Sequence, residues 1–238
     1  MLTSLLKDTL SGLLDILYPP KCAVCRQIGP HVICGKCRAG FGGFEGPTCL
    51  KCGAAKREGK CRNCSEGIPR YVTKARSAGR FEGSLRDAIH QFKYEGKRKL
   101  AQLLGGFLEE YLLDRPFGKV AFDVVIPVPL HKSRLRERDF NQAELLAVSA
   151  AAYLGIPILG GVIARTRRTK RQADLPAKLR AKNVQGAFAV RDAGSVQGKC
   201  ILLVDDVVTT CATTDECARV LLEAGAKSVY VLSLARDD

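Results

Sequence analysis

The chain has no tryptophan and a single methionine, and aromatic residues make up only 6% of it. That scarcity argues against a large aromatic binding surface. It also lacks any run of the roughly 20 apolar residues needed to cross a bilayer. Residues 2–17 are apolar at helical spacing, but Lys7, Asp8 and Asp15 interrupt them, so they do not read as a secretory segment. They are predicted to form an amphipathic helix within residues 1–20, ending at Pro19-Pro20. Without a secretory signal, the expected compartment is the cytoplasm, where thiols stay reduced. Acids are in short supply: 24 against 38 basic residues, a net charge of +14. Such an excess points to polyanionic partners, either nucleic acid or phosphorylated ligands. At 238 residues and 46% hydrophobic, the chain can still bury a sizeable core.

Cysteine is abundant, but only in places. Eight of eleven cysteines form four Cys-x-x-Cys pairs: Cys22/Cys25, Cys34/Cys37, Cys49/Cys52 and Cys61/Cys64. The second four repeat the first at a constant offset of 27 residues, an internal duplication. A Cys-x-x-Cys turn aims two thiolates at one ion, and two such turns close a tetrahedral S₄ shell. Few large apolar residues lie between Lys21 and Glu66, so something other than hydrophobic burial must hold residues 21–68. Structural Zn²⁺ supplies roughly 10–16 kcal/mol of apparent binding free energy to such folds. Four disulfides are the competing reading, disfavoured in a reducing compartment. His31 could also serve as a ligand. Spacing does not decide whether the pairs share ions sequentially or interleaved. Lys51, Lys56, Arg57, Lys60 and Arg62 would let this segment contact nucleic acid.

Residues 71–238 read differently. A strand is predicted over 71–81, helices over 83–94 and 97–114, then strands at 122–126, 161–164, 187–190, 200–204 and 228–234. Helices at 140–154 and 213–224 fall between them. Buried strands alternating with helices predict an α/β fold with a parallel sheet flanked by helices. The basic excess is concentrated at residues 165–182, where eight Lys or Arg face one acid, Asp174. The stretch 165–185 is expected to be a flexible basic loop.

The sharpest motif runs from Ile201 to Thr213, ILLVDDVVTTCAT. Four apolar residues make a buried strand, and Asp205 and Asp206 sit at its carboxyl end, where open α/β sheets bind ligands. A Thr-rich turn then enters a helix whose start the Thr213/Glu216 spacing fixes as a capping box. Backbone N–H groups and hydroxyls at a helix N-terminus form an anion cradle. Acids just before such a cradle suit hydroxyls or a divalent ion. Ribose 5-phosphate, a diol beside a phosphate, matches both halves. Paired acids also end strands in Mg²⁺-binding receiver-type domains, but there they lie early in the domain.

This segment resembles the 5-phosphoribosyl pyrophosphate (PRPP) motif of type I phosphoribosyltransferases. The wider chain resembles the ComF group, competence-associated proteins that join a double zinc ribbon to that fold. The residues carrying the likeness are Leu17 to Cys22, Phe92-Lys93-Tyr94, Pro127 to His131 with Arg134 and Arg138, and Phe140 to Ala143. Arg165-Thr166, Thr169, Gln172, Leu175, Arg180, Asn183-Val184 and Ala187-Phe188 complete the match.

The resemblance implies that Asp205 and Asp206 hold the ribose hydroxyls, while Val207, Thr209, Thr210, Cys211, Ala212 and Thr213 surround the 5′-phosphate. Val128, Pro129, Leu130, His131, Arg134 and Arg138 would meet the pyrophosphate, with Mg²⁺. Arg165, Arg167, Arg168, Lys170, Arg171, Gln172 and Arg180 would form the flexible loop or a nucleic-acid contact. The group's role implies single-stranded DNA and protein partners in DNA uptake. Two other functions stay open: an active phosphoribosyltransferase with Asp205 and Asp206 as catalytic residues, and a nucleotide-sensing regulator without turnover.

The group usually has glycine where this chain has Cys211 and Asp139. Cys211 is expected to strain the turn and weaken the ligand, or to be a reactive thiol at a helix N-terminus. Asp139 could cap the helix that follows.

Overall fold

The computed structural model describes residues 19–94 and 98–238; the helix expected over 2–17 lies outside them. Four parallel strands form the central sheet: β1 (Lys74–Arg80), β2 (Val124–Pro127), β5 (Cys200–Val208) and β6 (Ser228–Arg236), in the order β1-β6-β5-β2. Residues 157–159 extend the sheet beyond β2 through Val125 N–H to Pro157 O and Leu159 N–H to Val125 O, each 2.9 Å.

The strands are Val/Ile/Leu runs because both faces are covered. Side-chain alternation sends Ile201 and Leu203 of β5 to one face and Leu202 and Val204 to the other. On the first face pack α8 (Ala212–Glu223), through Cys217, Ala218 and Leu221, and a separate hairpin. On the second pack α3 (Gly83–Tyr94), α4 (Arg98–Leu113) and α6 (Gln142–Leu154). Gly105 lets α4 lie tightly on α6, since a Cβ there would come within 2.1 Å of Ser149 Oγ. The result is the α/β fold expected, a parallel sheet between layers of helices.

The amino-terminal segment keeps its duplication in three dimensions. Short helix α1 (Gly35–Ala39) and α2 (Arg62–Ser65) begin 27 residues apart, and the Lys21–Ile28 bridge recurs as Thr48–Ala55. The two halves nevertheless pack differently. Cys22 and Cys37 join the core with Leu85 and Ile89, whereas Cys49, Cys52 and Cys61 join the opposite face with Val72, Ala75 and Val208.

Three local expectations change. The strands β3 (Ile163–Arg165) and β4 (Phe188–Val190) pair antiparallel in their own two-stranded sheet rather than joining the parallel one. The stretch between them is not all loop: it holds a 3₁₀ turn (Gln172–Asp174) and helix α7 (Ala177–Val184). A helix not anticipated, α5 (Lys132–Arg138), follows β2. It ends at Asp139, which has φ +62°, so Asp139 closes α5 and does not cap α6. Asn141 caps α6 instead, its side chain accepting from the Ala143 N–H. Among the described residues no helix is long and apolar enough to cross a membrane.

Candidate ligand-binding site

Strand β5 runs through both aspartates to Val208, four residues beyond the apolar stretch. The chain then turns at 209–211 into α8, so the acids and the helix N-terminus share one end of the sheet. A cavity of about 420 Å³ opens there. It is lined by Asp205, Asp206, Val207, Thr209, Cys211, Ala212 and Thr213 on one side. Val128, Pro129, Leu130, Arg134 and Arg138, from the end of β2 and from α5, face them, and Arg165, Arg171 and Gln172 close the third side. The loop after β2 is pinned by the Val128 N–H to Val204 O (2.9 Å) and by Asn141 Nδ2 to Val128 O (3.1 Å).

Several expected residues lie elsewhere. His131 is the cap of α5, its Nδ1 accepting from the Ser133 N–H at 3.2 Å. Arg167 donates to the Asn183 and Gln185 carbonyls at the end of α7, and Arg180 donates to Leu175 O. Arg168 and Lys170 line a second cleft of about 400 Å³ with Arg134, Glu137, Thr169 and Arg171. Because Arg134 and Arg171 line both, the two cavities adjoin. Thr210 is buried within the turn, and its Oγ1 has no partner among the described residues.

The capping box does not form. Cys211 occupies the cap position of α8, and Thr214 Oγ1 donates to its carbonyl at 2.9 Å. Glu216 instead accepts from the Gly186 N–H (2.7 Å) and pairs with Arg219 (2.6 Å). Thr213 Oγ1 takes a hydrogen bond from Gln172 Nε2 at 3.3 Å, which ties the basic insert to the helix N-terminus.

Burial and then the neighbouring Asp206 push Asp205 up to about 7, against the Asp206 N–H, Lys93 and Arg165, which pull it down. Lys93 Nζ lies 2.9 Å from Asp206 Oδ2. Lys93 belongs to the Phe92-Lys93-Tyr94 segment that carries the family likeness, but nothing in the sequence assigned it a site role. Its signal was its place beside Phe92, on a helix whose buried stripe runs Leu85, Ile89, Phe92.

Gln142, within the family-like Phe140–Ala143 segment, likewise had no site role assigned. It is 1% exposed and lines the cavity; its Oε1 accepts from Arg138 Nη1 at 3.1 Å, and its Nε2 has no partner among the described residues. Arg165, stacked 5.2 Å from the Phe188 ring and bonded to Thr169 Oγ1, leaves its Nε unpaired among the described residues. Buried donors without acceptors are costly. Two of them around one cavity fit an oxygen-rich ligand.

Cys211 has φ +67°, the left-handed conformation that favours glycine, in the middle of this turn. Burial pushes its thiol up, with Arg236 opposing, so the reactive-thiol expectation does not hold. Cys211→Gly is expected to tighten binding of a phosphate ligand a few-fold, because glycine adopts this φ without a side chain and lets the backbone approach the anion more closely. Titration calorimetry of the two proteins checks this, and equal affinities would show the cysteine to be harmless.

The cysteines resolve into two sequential sets, Cys22/Cys25/Cys34/Cys37 and Cys49/Cys52/Cys61/Cys64, each with all Sγ atoms within 4.8 Å of one another. Sγ pairs stand 3.3–3.7 Å apart. Zn–S bonds of about 2.3 Å in a tetrahedron require S–S separations of about 3.8 Å, so each set has the size of a ZnS₄ shell. Burial acts to raise Cys22 and Cys49, yet backbone N–H groups from their own knuckles, with Cys34 N–H for Cys22, bring both down to about 6.

A family described as "Double zinc ribbon domain" matches residues 13–66. Together with the two Cys₄ sets, this supports structural zinc. Competence protein F of Haemophilus influenzae is 30% identical over 226 residues, covering 91% of this chain and 96% of that protein. The chain belongs to the ComF family. Another member, DNA utilization protein YhgH of Escherichia coli K12, is 33% identical over 93% of this chain and 99% of its own. Competence protein ComFC of Streptococcus pneumoniae is 27% identical over 86% of this chain and 87% of its own.

Among solved structures, the ComF chain is similar to glutamine PRPP amidotransferase from B. subtilis complexed with ADP and GMP. The identity is 24% and the TM-score 0.40, over 60% of this chain and 30% of that one. It is also similar to purine phosphoribosyltransferase from Pyrococcus horikoshii, at 18% identity and a TM-score of 0.35, over 57% and 82%.

Proposed function

We propose that this ComF-family protein binds PRPP with Mg²⁺ at the β5–α8 turn and handles single-stranded DNA along the adjoining basic cleft, in the cytoplasm, during DNA uptake. In this reading residues 21–68 are a zinc ribbon unit and 71–238 the ligand-binding unit. The observation that carries it is one cavity lined by two adjacent strand-end carboxylates, a helix N-terminus and several arginines. Asp205 and Asp206 would accept hydrogen bonds from the ribose hydroxyls, and the 209–213 turn would hold the 5′-phosphate. Arg134, Arg138 and Arg165 would face the pyrophosphate, with Gln142 donating from beneath. Mg²⁺, a hard cation, would be held by the carboxylate oxygens together with the ligand's own, and would neutralise pyrophosphate charge. The relatives' names, a competence protein and a DNA utilization protein, support the cellular role.

Proton linkage tests the site. Asp205 must be ionised to accept two hydrogen bonds, and its carboxyl sits near 7 before ligand arrives. Binding therefore releases a proton below that pH, and affinity falls as pH drops through 7. Calorimetry with Mg²⁺ and PRPP is expected to show about tenfold weaker binding at pH 6 than at pH 8, a step of roughly one pH unit's worth of linkage. Asp205→Asn should remove that step, which separates it from titration of the ligand's phosphate. No heat at millimolar PRPP would refute the reading.

Turnover is a second reading, favoured by the two adjacent carboxylates of the same cavity, Asp205 and Asp206, which would be the groups to accept a proton from an attacking acceptor. Pyrophosphate release with a panel of bases, amines and DNA ends distinguishes turnover from binding alone.

A further inference from the structure

We propose that the second cysteine cluster is a working part of the phosphate turn, which it holds in shape through Arg236. Arg236 ends β6 and is 2% exposed. Its guanidinium donates in three directions: Nη1 to Cys52 O, Nη2 to Thr209 O and Nε to Asp238 Oδ1, each at 2.7 Å. One planar group thereby joins a cysteine-knuckle carbonyl to a carbonyl of the ligand turn. Nη1 also lies 3.7 Å from Cys211 Sγ, at the residue with the left-handed backbone. A residue in that conformation persists only where its surroundings fix it.

The knuckle is itself built into the sheet. Every carbonyl from Cys49 to Cys52 accepts a hydrogen bond from a core strand. Arg76 donates to Cys49 O (3.4 Å) and Leu50 O (2.9 Å), the Ala75 N–H to Lys51 O (2.8 Å), and Arg236 to Cys52 O. Gly53 follows at φ +75°, where a Cβ would come within 2.8 Å of Ala75 O, so the backbones meet too closely for any side chain. Asp238 completes the clamp, its Oδ2 accepting from the Ala55 N–H at 2.9 Å. The first cluster packs instead on the opposite face, with Leu85 and Ile89. The duplicated ribbons thus have unequal duties: the first braces the helical layer, and the second positions the 209–211 turn. Zinc in the second cluster fixes the Cys49–Cys52 knuckle, hence Cys52 O, hence Arg236 and Thr209.

This assignment makes Arg236 a positioning residue. It rests on the PRPP reading for its purpose but not for its geometry, so the deciding readout is independent of ligand. Amide hydrogen exchange of the full zinc-loaded chain is compared in wild type, Cys25→Ser, Cys64→Ser and Arg236→Lys. Cys64→Ser and Arg236→Lys are expected to speed exchange across 207–214 at least tenfold, leaving α4 and α6 unchanged. Cys25→Ser should leave 207–214 within twofold of wild type.

Lysine carries one nitrogen where the guanidinium uses three to join Cys52, Thr209 and Asp238, so it cannot replace the fork. Should Cys64→Ser fail to fold, Arg236→Lys, which keeps all eight ligands and its full zinc content, decides alone. Unchanged exchange at 207–214 in Arg236→Lys, or an equal rise in Cys25→Ser, overturns the proposal. PRPP affinity measured alongside should fall about tenfold in Arg236→Lys. A wild type that binds no PRPP counts against the function, while the exchange data still judge the coupling.

Discussion

Asp205→Asn is expected to bind PRPP about a hundredfold more weakly than wild type and yet to melt at a higher temperature at pH 8. The two effects share one cause. Burial, then the neighbouring Asp206, raise Asp205 from 3.8 to about 7, outweighing the Asp206 N–H, Lys93 and Arg165. In the unfolded chain the same carboxyl ionises near its ordinary value. Between about pH 4 and 7 the folded state therefore holds a proton that the unfolded state has lost, and stability declines as pH rises through that window. Above pH 7 the charge is simply carried at a cost. Asparagine removes the charge and the cost. Below pH 4 both forms of the residue are neutral, so the melting difference should vanish there.

Binding moves the other way. Hydrogen bonds to a charged acceptor contribute about 1.5–3 kcal/mol each, so a hundredfold loss, roughly 2.7 kcal/mol, is what one strong bond supplies. Thermal melts at pH 4 and pH 8 with parallel calorimetry check both halves. A variant less stable than wild type at pH 8 would show that Lys93 and Arg165 outweigh burial.

Single-stranded DNA is expected to bind with a steep salt dependence set by the second cleft. Arg134, Arg168, Lys170 and Arg171 line it with one acid, Glu137. If all four neutralise phosphates, the slope of log K against log salt is about −2.8, so affinity falls about fifty-fold between 50 and 200 mM salt. Affinity should be modest because stacking platforms are few; Phe140 is half-buried against Phe92, and Phe188 lies under Arg165. Replacing Arg168 and Lys170 with glutamine should reduce the slope by about 1.4 and leave PRPP binding intact, since neither lines the first cavity. Fluorescence anisotropy over a salt series measures the slope. A flat dependence would remove the cleft from the account.

The parts of this protein legible in its sequence are those whose physics is local. Cys-x-x-Cys spacing requires knuckles wherever the chain goes, and ILLV before two acids requires a buried strand with a polar end. Both were read correctly, as were helices α3, α4 and α6 to within two residues. What could not be read depends on distant partners. Parallel pairing was inferred for 161–164 and 187–190 from alternation alone, but the stretch between them folds back on itself and pairs those strands antiparallel. Charge hid α7, whose basic residues read as loop. Glu216 matched a capping box by spacing, but Gly186 and Arg219 compete for it successfully. Lys93, Gln142 and Arg236 show the same limit at the site. Each is far from β5 along the chain and reaches it only through the fold. Only Arg236 had no local cue at all, standing near the chain's end beside ordinary core residues.

The most direct measurement is a crystal structure with Mg²⁺ and PRPP. Ribose density is expected against Asp205 and Asp206, the 5′-phosphate within hydrogen-bond reach of the backbone at 209–213, and Lys93 drawn away from Asp206 or bridging it to the ligand. Phosphate bound elsewhere, or a turn left empty at saturating PRPP with the Lys93–Asp206 pair intact, would contradict it.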